Sequence, residues 1–147
     1  MVTLRPYQEE MIVRVRERLR VHKSVLLQLS TGAGKTLMGA FMTASTSSRG
    51  RSTWFAIHRD FLLSQTVAAF NRIGIPCGVI AAGQRPNPFV PVQVVSIPTL
   101  ARRYPKLTPP QLLIVDECHH LPSRPWAVIS RWHLEAGGPM IGRTATP

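Results

Sequence analysis

Acidic residues are scarce. Seven Asp plus Glu stand against 18 Lys plus Arg in 147 residues, a formal net charge of +11. Such an excess points to a polyanionic partner, either nucleic acid or an anionic membrane surface. Cysteine is rarer still: Cys77 and Cys118 are the whole complement, too few for a disulfide scaffold, and this favours a reducing, intracellular (cytoplasmic) setting. No stretch approaches the roughly 18 consecutive apolar residues of a membrane span. The opening Met1–Pro6 reaches Arg5 without an apolar run, unlike a secretory signal. Internal repeats, low-complexity tracts and Gly/Ser linkers are also missing, so the length reads as one domain. What is present is 44% hydrophobic residues, enough for a packed core, which excludes wholesale disorder. Thirteen prolines argue for many short connected elements rather than a long helical bundle.

The basic excess is uneven. Lysine supplies only Lys23, Lys35 and Lys106; the other cations are arginine, whose planar fork suits phosphate. Between Arg49 and Lys106 the only acid is Asp60, so the middle of the chain carries much of the positive field.

Strands and helices alternate along most of the sequence. Residues 7–21 fit two periods: Met11, Val15 and Leu19 at helical spacing, with Glu10 four before Arg14, or Val13, Val15, Leu19 and Val21 in strand alternation. The Pro6 start and the length favour the helix. Strands are expected at Ser24–Leu29, Thr53–Ile57, Cys77–Ala81, Pro91–Ile97 and Leu112–Val115, with a last one beginning at Met140–Ile141. Helices are expected at Lys35–Thr46, Phe61–Phe70, Thr99–Arg103 and Trp126–Trp132, and a Gly/Pro loop at Gly83–Pro88. Near-continuous apolar strands separated by helices indicate an α/β fold with a mostly parallel sheet covered on both faces.

Two segments carry chemistry. Ser30-Thr31-Gly32-Ala33-Gly34-Lys35-Thr36 lies between an expected strand and an expected helix, the setting in which a G-K-T tripeptide has meaning. Gly32 and Gly34 allow a tight turn whose N–H groups converge on an anion at a helix N-terminus. Lys35 would then reach the β- and γ-phosphates of a nucleotide, and the Thr36 hydroxyl would ligate Mg²⁺. Leu29 stands where the general pattern asks for glycine.

The second segment is Leu112-Leu113-Ile114-Val115-Asp116-Glu117-Cys118-His119-His120. Two acids at the tip of a buried strand are costly unless they meet a cation. Ligands of open parallel sheets bind at the carboxyl ends of strands, so Asp116 is a candidate holder of Mg²⁺, and Glu117 could orient or deprotonate an attacking water. Cys118, His119 and His120 lack the ligand spacing of a structural zinc site. His22 and His133 belong to no motif and suit surface or packing roles.

With these residues in view, the chain resembles the first RecA-like domain of superfamily-two helicases and translocases, the P-loop NTPases of the DEAD/DEAH type. It is most similar to the DECH branch that includes restriction-enzyme motor subunits and phage and repair helicases. Leu4–Gln8 looks like the Q motif, which implies that Gln8 reads adenine, with help from Arg5; Tyr7 suits packing better than adenine stacking. Ser30–Thr36 looks like motif I, making Thr31, Gly32, Ala33, Gly34, Lys35 and Thr36 the ATP site. Ala56–Leu62 looks like motif Ia and Val95–Leu100 like motif Ib, which implies nucleic-acid backbone contacts at His58, Arg59, Thr99 and Arg102. Asp116-Glu117-Cys118-His119 matches motif II, giving Lys35, Asp116 and Glu117 the catalytic roles. Thr144-Ala145-Thr146 matches motif III, which couples hydrolysis to strand movement through Thr144 and Thr146. His58 and Arg59 could instead be a solvated helix start, and Thr99 a cap for the short helix after Pro98.

The resemblance implies ATP, Mg²⁺ and a second RecA-like domain, in the same protein or another chain, that supplies an arginine finger; the isolated domain is expected to hydrolyse ATP poorly. DNA is the expected polymer, with RNA as the alternative and no membrane role. A P-loop phosphotransferase would need only the phosphate loop and one acid, leaving Gln8, Asp116–His119, Thr144–Thr146 and the charge without a purpose. A non-catalytic binding module would have no need of both Lys35 and Glu117.

Overall fold

The computed structural model of the chain describes residues 3–28, 35–118 and 124–144, and within these not the side chains at 35, 36, 60 and 125. Helix α1 (Pro6–Leu19) resolves the ambiguous first segment. Pro6 starts it with a pre-set φ, and the Arg5 N–H donates to Gln8 Oε1 at 2.8 Å, closing the first turn. Gln8, Ile12 and Val15 are its buried residues, a helical spacing, while Val13 stays 49% exposed; the strand-like alternation has no structural counterpart.

Strand β1 (Ser24–Gln28) leads towards α2 (Lys35–Ser47). There follow β2 (Thr53–Ile57), a 3-10 turn at Asp60–Leu62 and α3 (Leu63–Arg72). After β3 (Gly78–Ile80) an irregular loop leads to β4 (Val92–Ser96), which runs directly into α4 (Ile97–Arg103). The chain closes with β5 (Leu112–Asp116), α5 (Arg124–Glu135) and β6 (Met140–Thr144). The six strands form one sheet in the order β1-β6-β5-β2-β4-β3, and every pair is parallel. The expected α/β class with a mostly parallel sheet is therefore what is found, with parallel pairing throughout.

Strand order also explains the layers. From β1 to β2 to β3 the chain moves one way across the sheet; from β4 to β5 to β6 it moves back. Right-handed crossovers put helices of opposite travel on opposite faces. One core accordingly holds Ile12 and Val15 of α1, Met38 and Met42 of α2 and Phe70 of α3. The other holds Ile97 and Leu100 of α4 and Ile129 of α5. Successive β2 residues divide between them: Phe55 meets Phe70 edge-on with ring centroids 5.4 Å apart, while Trp54 faces Trp132 at 6.1 Å.

His133 is a packing residue. It is fully buried on α5, and its Nε2 donates to the Pro139 carbonyl at 2.8 Å, tying the helix to the start of β6. Burial holds its pKa below the usual 6.5, opposed by that carbonyl. Its neighbour in the turn is Gly138, where an added Cβ would lie 2.9 Å from the imidazole ring.

Candidate functional site

Parallel pairing brings the carboxyl ends of distant segments to one edge. Gln28 is in register with Thr144, Asp116 with Arg143 and Ile57 with Ser96. Read across that edge, the tips are β1, β6, β5, β2 and β4. The segment that follows β1, the Asp116–Glu117 pair, His58–Arg59 and the start of α4 therefore emerge side by side. β1 and β5 are separated only by β6, so at parallel-strand spacing their tips lie about 10 Å apart.

Asp116 ends β5 with its side chain 18% exposed, and its Oδ1 accepts the Glu117 N–H at 3.1 Å. Glu117 has φ 49, the only non-glycine residue with positive φ among those described. A bulky side chain in the left-handed region costs about 1–2 kcal/mol, and such strain gathers where a side chain has to be aimed. Cys118 packs beside β6, where a Cβ on Gly142 would lie 3.0 Å from its Sγ. Burial pushes the Cys118 thiol pKa up, which makes it a packing group rather than a thiolate ligand. His119 and His120 lie outside the described residues.

Of the phosphate loop, Thr31, Gly32, Ala33 and Gly34 lie outside the described residues. Lys35 and Thr36 open α2, with their side chains undescribed. The expected strand and helix flank that segment, with β1 ending at Gln28 and α2 starting at Lys35. Thr144 is buried at the end of β6; Thr146 lies outside the described residues.

Gln8, expected to read adenine, is buried, 3% exposed, and its Oε1 accepts the Arg5 N–H at the start of α1. Arg5, just before that helix, is exposed. His58 is half-buried and Arg59 exposed directly after β2. Thr99 is 1% exposed. It does not cap α4, which begins two residues earlier with Ser96 at the N-cap position. Its Oγ1 instead accepts from Arg102 Nη2 at 3.4 Å, the long end of hydrogen bonding, and Arg102 is the exposed member of the pair.

One residue of the site escaped sequence reasoning. Arg143 on β6 is fully buried, 0% exposed, and its Nη2 lies 3.6 Å from Asp116 Oδ1. Its guanidinium carbon sits 5.0 Å from the centroid of the Phe55 ring, within cation–π range. Nε, Nη1 and Nη2 make no hydrogen bond among the described residues. Burial lowers its pKa to about 10, opposed by Asp116, so it remains a cation at neutral pH. Gly39 of α2 makes room for it: a Cβ there would collide with Arg143 Nη1 and lie 2.7 Å from Phe55 Cε2. The available signal was the two-residue alternation from Ile141 to Arg143, which sends both side chains to the α2 face.

A cavity of about 740 Å³ lies elsewhere, lined by Trp54, Phe89, Arg103 and Lys106 among others. It sits by the starts of β2 and β4, the edge opposite Asp116. Among the described residues no group of three or more His, Cys, Asp or Glu could hold a metal, and no helix is long and apolar enough to cross a membrane.

Comparison with known proteins agrees with this architecture. The family described as type III restriction enzyme, res subunit, matches residues 1–147. A 51.5 kDa protein of Lactococcus phage (isolate 7-9) is 25% identical over 122 residues, 83% of this chain and 24% of the phage protein. The chain thus spans about a quarter of that relative. Among solved structures, the Sulfolobus solfataricus SWI2/SNF2 ATPase core in complex with dsDNA superposes with a TM-score of 0.80 at 16% identity, covering 99% of this chain and 32% of that one. The Pyrococcus furiosus Hef helicase domain gives a TM-score of 0.80 at 22% identity, covering 97% of this chain and 33% of that one. At these identities the likeness is one of fold, the RecA-like α/β domain.

Proposed function

Since the chain belongs to the family of the type III restriction enzyme res subunit and folds as the RecA-like domain of superfamily-two helicases, we propose that it is the ATP-binding half of a DNA motor. The observation that carries this reading is the shared strand edge. The segment before Lys35, the acids Asp116 and Glu117, Thr144 and the basic His58–Arg59 adjoin the ends of neighbouring strands. A phosphotransferase acting on a small molecule has no use for the basic half of that row.

In this reading Thr31–Thr36 cradle the triphosphate with backbone N–H groups, and the Lys35 amine neutralises its β- and γ-oxygens. Asp116 and Thr36 are the hard oxygen donors for Mg²⁺. One or two such protein ligands beside substrate phosphates is the usual Mg²⁺ arrangement, and the partly exposed Asp116 carboxylate at the strand tip fits it. The metal, when bound, spreads the charge that builds on the phosphoryl oxygens. Glu117, held in its left-handed conformation, aims at the water that attacks the γ-phosphorus and takes its proton as the bond to the β-phosphate oxygen breaks. Arg5 and Gln8 border the adenine end. His58, Arg59 and Arg102 follow the polymer backbone, and Thr144 and Thr146 link the nucleotide to that surface. A second RecA-like domain beyond this chain completes the machine.

The test is nucleotide binding followed by fluorescence of an ATP analogue. Lys35→Ala is expected to lose most of its affinity, and full retention overturns the reading. DNA and RNA affinities measured over a salt series test the polymer, with a log–log slope of about −0.7 per neutralised phosphate on single strands. An RNA preference replaces the DNA assignment.

A further inference from the structure

Arg143 is a charge without the bonds that normally accompany a buried guanidinium. It is fully enclosed, and none of its three nitrogens makes a hydrogen bond among the described residues. Its compensation is the Phe55 ring face at 5.0 Å and the Asp116 carboxylate at 3.6 Å. Leaving a buried cation without donors satisfied is expensive, so a residue of this kind survives in a core when its charge serves a neighbour. The neighbour here is the one acid at the end of β5 whose side chain reaches both the interior and solvent. The fold also reserves the space, since any side chain at Gly39 would strike the guanidinium.

We propose that Arg143 is a positioning residue and an internal counter-cation for Asp116. It steadies the carboxylate when no metal is present and lowers the affinity of the nucleotide-free site for a divalent cation. The metal therefore enters together with the phosphates, which add the negative charge that outweighs the guanidinium. This inference rests on the reading of Asp116 as a metal holder, and the two are separable by experiment.

The probe is Mn²⁺, titrated into the nucleotide-free 147-residue chain and followed by electron paramagnetic resonance, with circular dichroism to verify folding. Arg143→Met is expected to bind Mn²⁺ about tenfold more tightly than the unaltered chain, since a unit positive charge next to the carboxylate is gone. Arg143→Lys, which keeps the charge, is expected to bind as the unaltered chain does. The gain should vanish in the Arg143→Met, Asp116→Asn double variant. Unchanged affinity in a folded Arg143→Met, with binding lost in Asp116→Asn, overturns the counter-cation role and leaves the metal reading standing. Mn²⁺ binding that survives Asp116→Asn overturns the metal reading and this inference with it. Should Arg143→Met fail to fold, Asp116→Asn decides the pairing alone. Its melting temperature is expected to fall by several degrees, because a buried cation loses its counter-charge, and an unchanged or higher value overturns the proposal.

Discussion

Two ion pairs among the described residues invert the usual reading of distance. On the outer face of α1, Arg14 Nη2 meets Glu10 Oε1 at 2.8 Å, with both side chains more than 60% exposed. Between β6 and β5, Arg143 Nη2 stands off from Asp116 Oδ1 at 3.6 Å, with exposures of 0% and 18%. The shorter contact is the weaker one. Water and salt screen the helix pair, which is worth about 0.3–0.5 kcal/mol. The sheet pair is poorly screened, and its guanidinium has already surrendered its hydration. Burial therefore decides what a charge does in this protein, and separation alone does not.

The comparison can be tested by removing one acid at a time. The largest effect is expected for Asp116→Asn, which strands Arg143. Removing one partner of a buried pair costs about 3–5 kcal/mol, and the partial exposure of Asp116 favours the lower end, readable as a shift of the urea midpoint at constant slope. A middle effect is expected for Gly39→Ala. In an ordinary helix interior that change would stabilise by about 0.5–1 kcal/mol. Here the new methyl meets Arg143 and Phe55, and overpacking costs about 1–3 kcal/mol, so thermal denaturation should show a net loss. A gain in stability would mean that the guanidinium can leave its seat freely. The smallest effect belongs to Glu10→Gln, expected within about 0.5 kcal/mol and disappearing as salt is raised. A loss comparable to that of Asp116→Asn would break the contrast between the two pairs.

Much of the fold was legible because its central strands are buried on both faces. Thr53–Ile57 and Val92–Ser96 are buried at every position, and their nearly unbroken apolar runs announced them. Where one face meets solvent the reading was less sharp. α5 extends from Arg124 to Glu135, beyond the expected Trp126–Trp132, because its ends are polar and carry no apolar periodicity. α4 begins at Ile97 rather than Thr99 since Pro98 fits within a first helical turn, where its missing N–H is no loss. Thr99 thereby became a buried side chain rather than a cap. At the site, the acids at the end of β5 and the strand and helix on either side of the segment before Lys35 were visible as local patterns. Arg143 was not, because a single arginine in a strand looks the same whether it points to water or to a helix.

The scarcity of acids, the alternation of apolar strands with helices and the clustering of chemistry at strand ends were all properties of the sequence itself. They follow from side-chain period and backbone chemistry, which act over a few residues. The tertiary structure alone decided which strand ends became neighbours. Parallel strands must be joined by crossovers, so Gln28, Thr144 and Asp116 reach one edge from opposite ends of the chain. It also decided the fate of Arg143. Only when α2 closes over β6, with Gly39 against the guanidinium, does an ordinary surface cation become a buried charge whose one carboxylate partner among the described residues is Asp116.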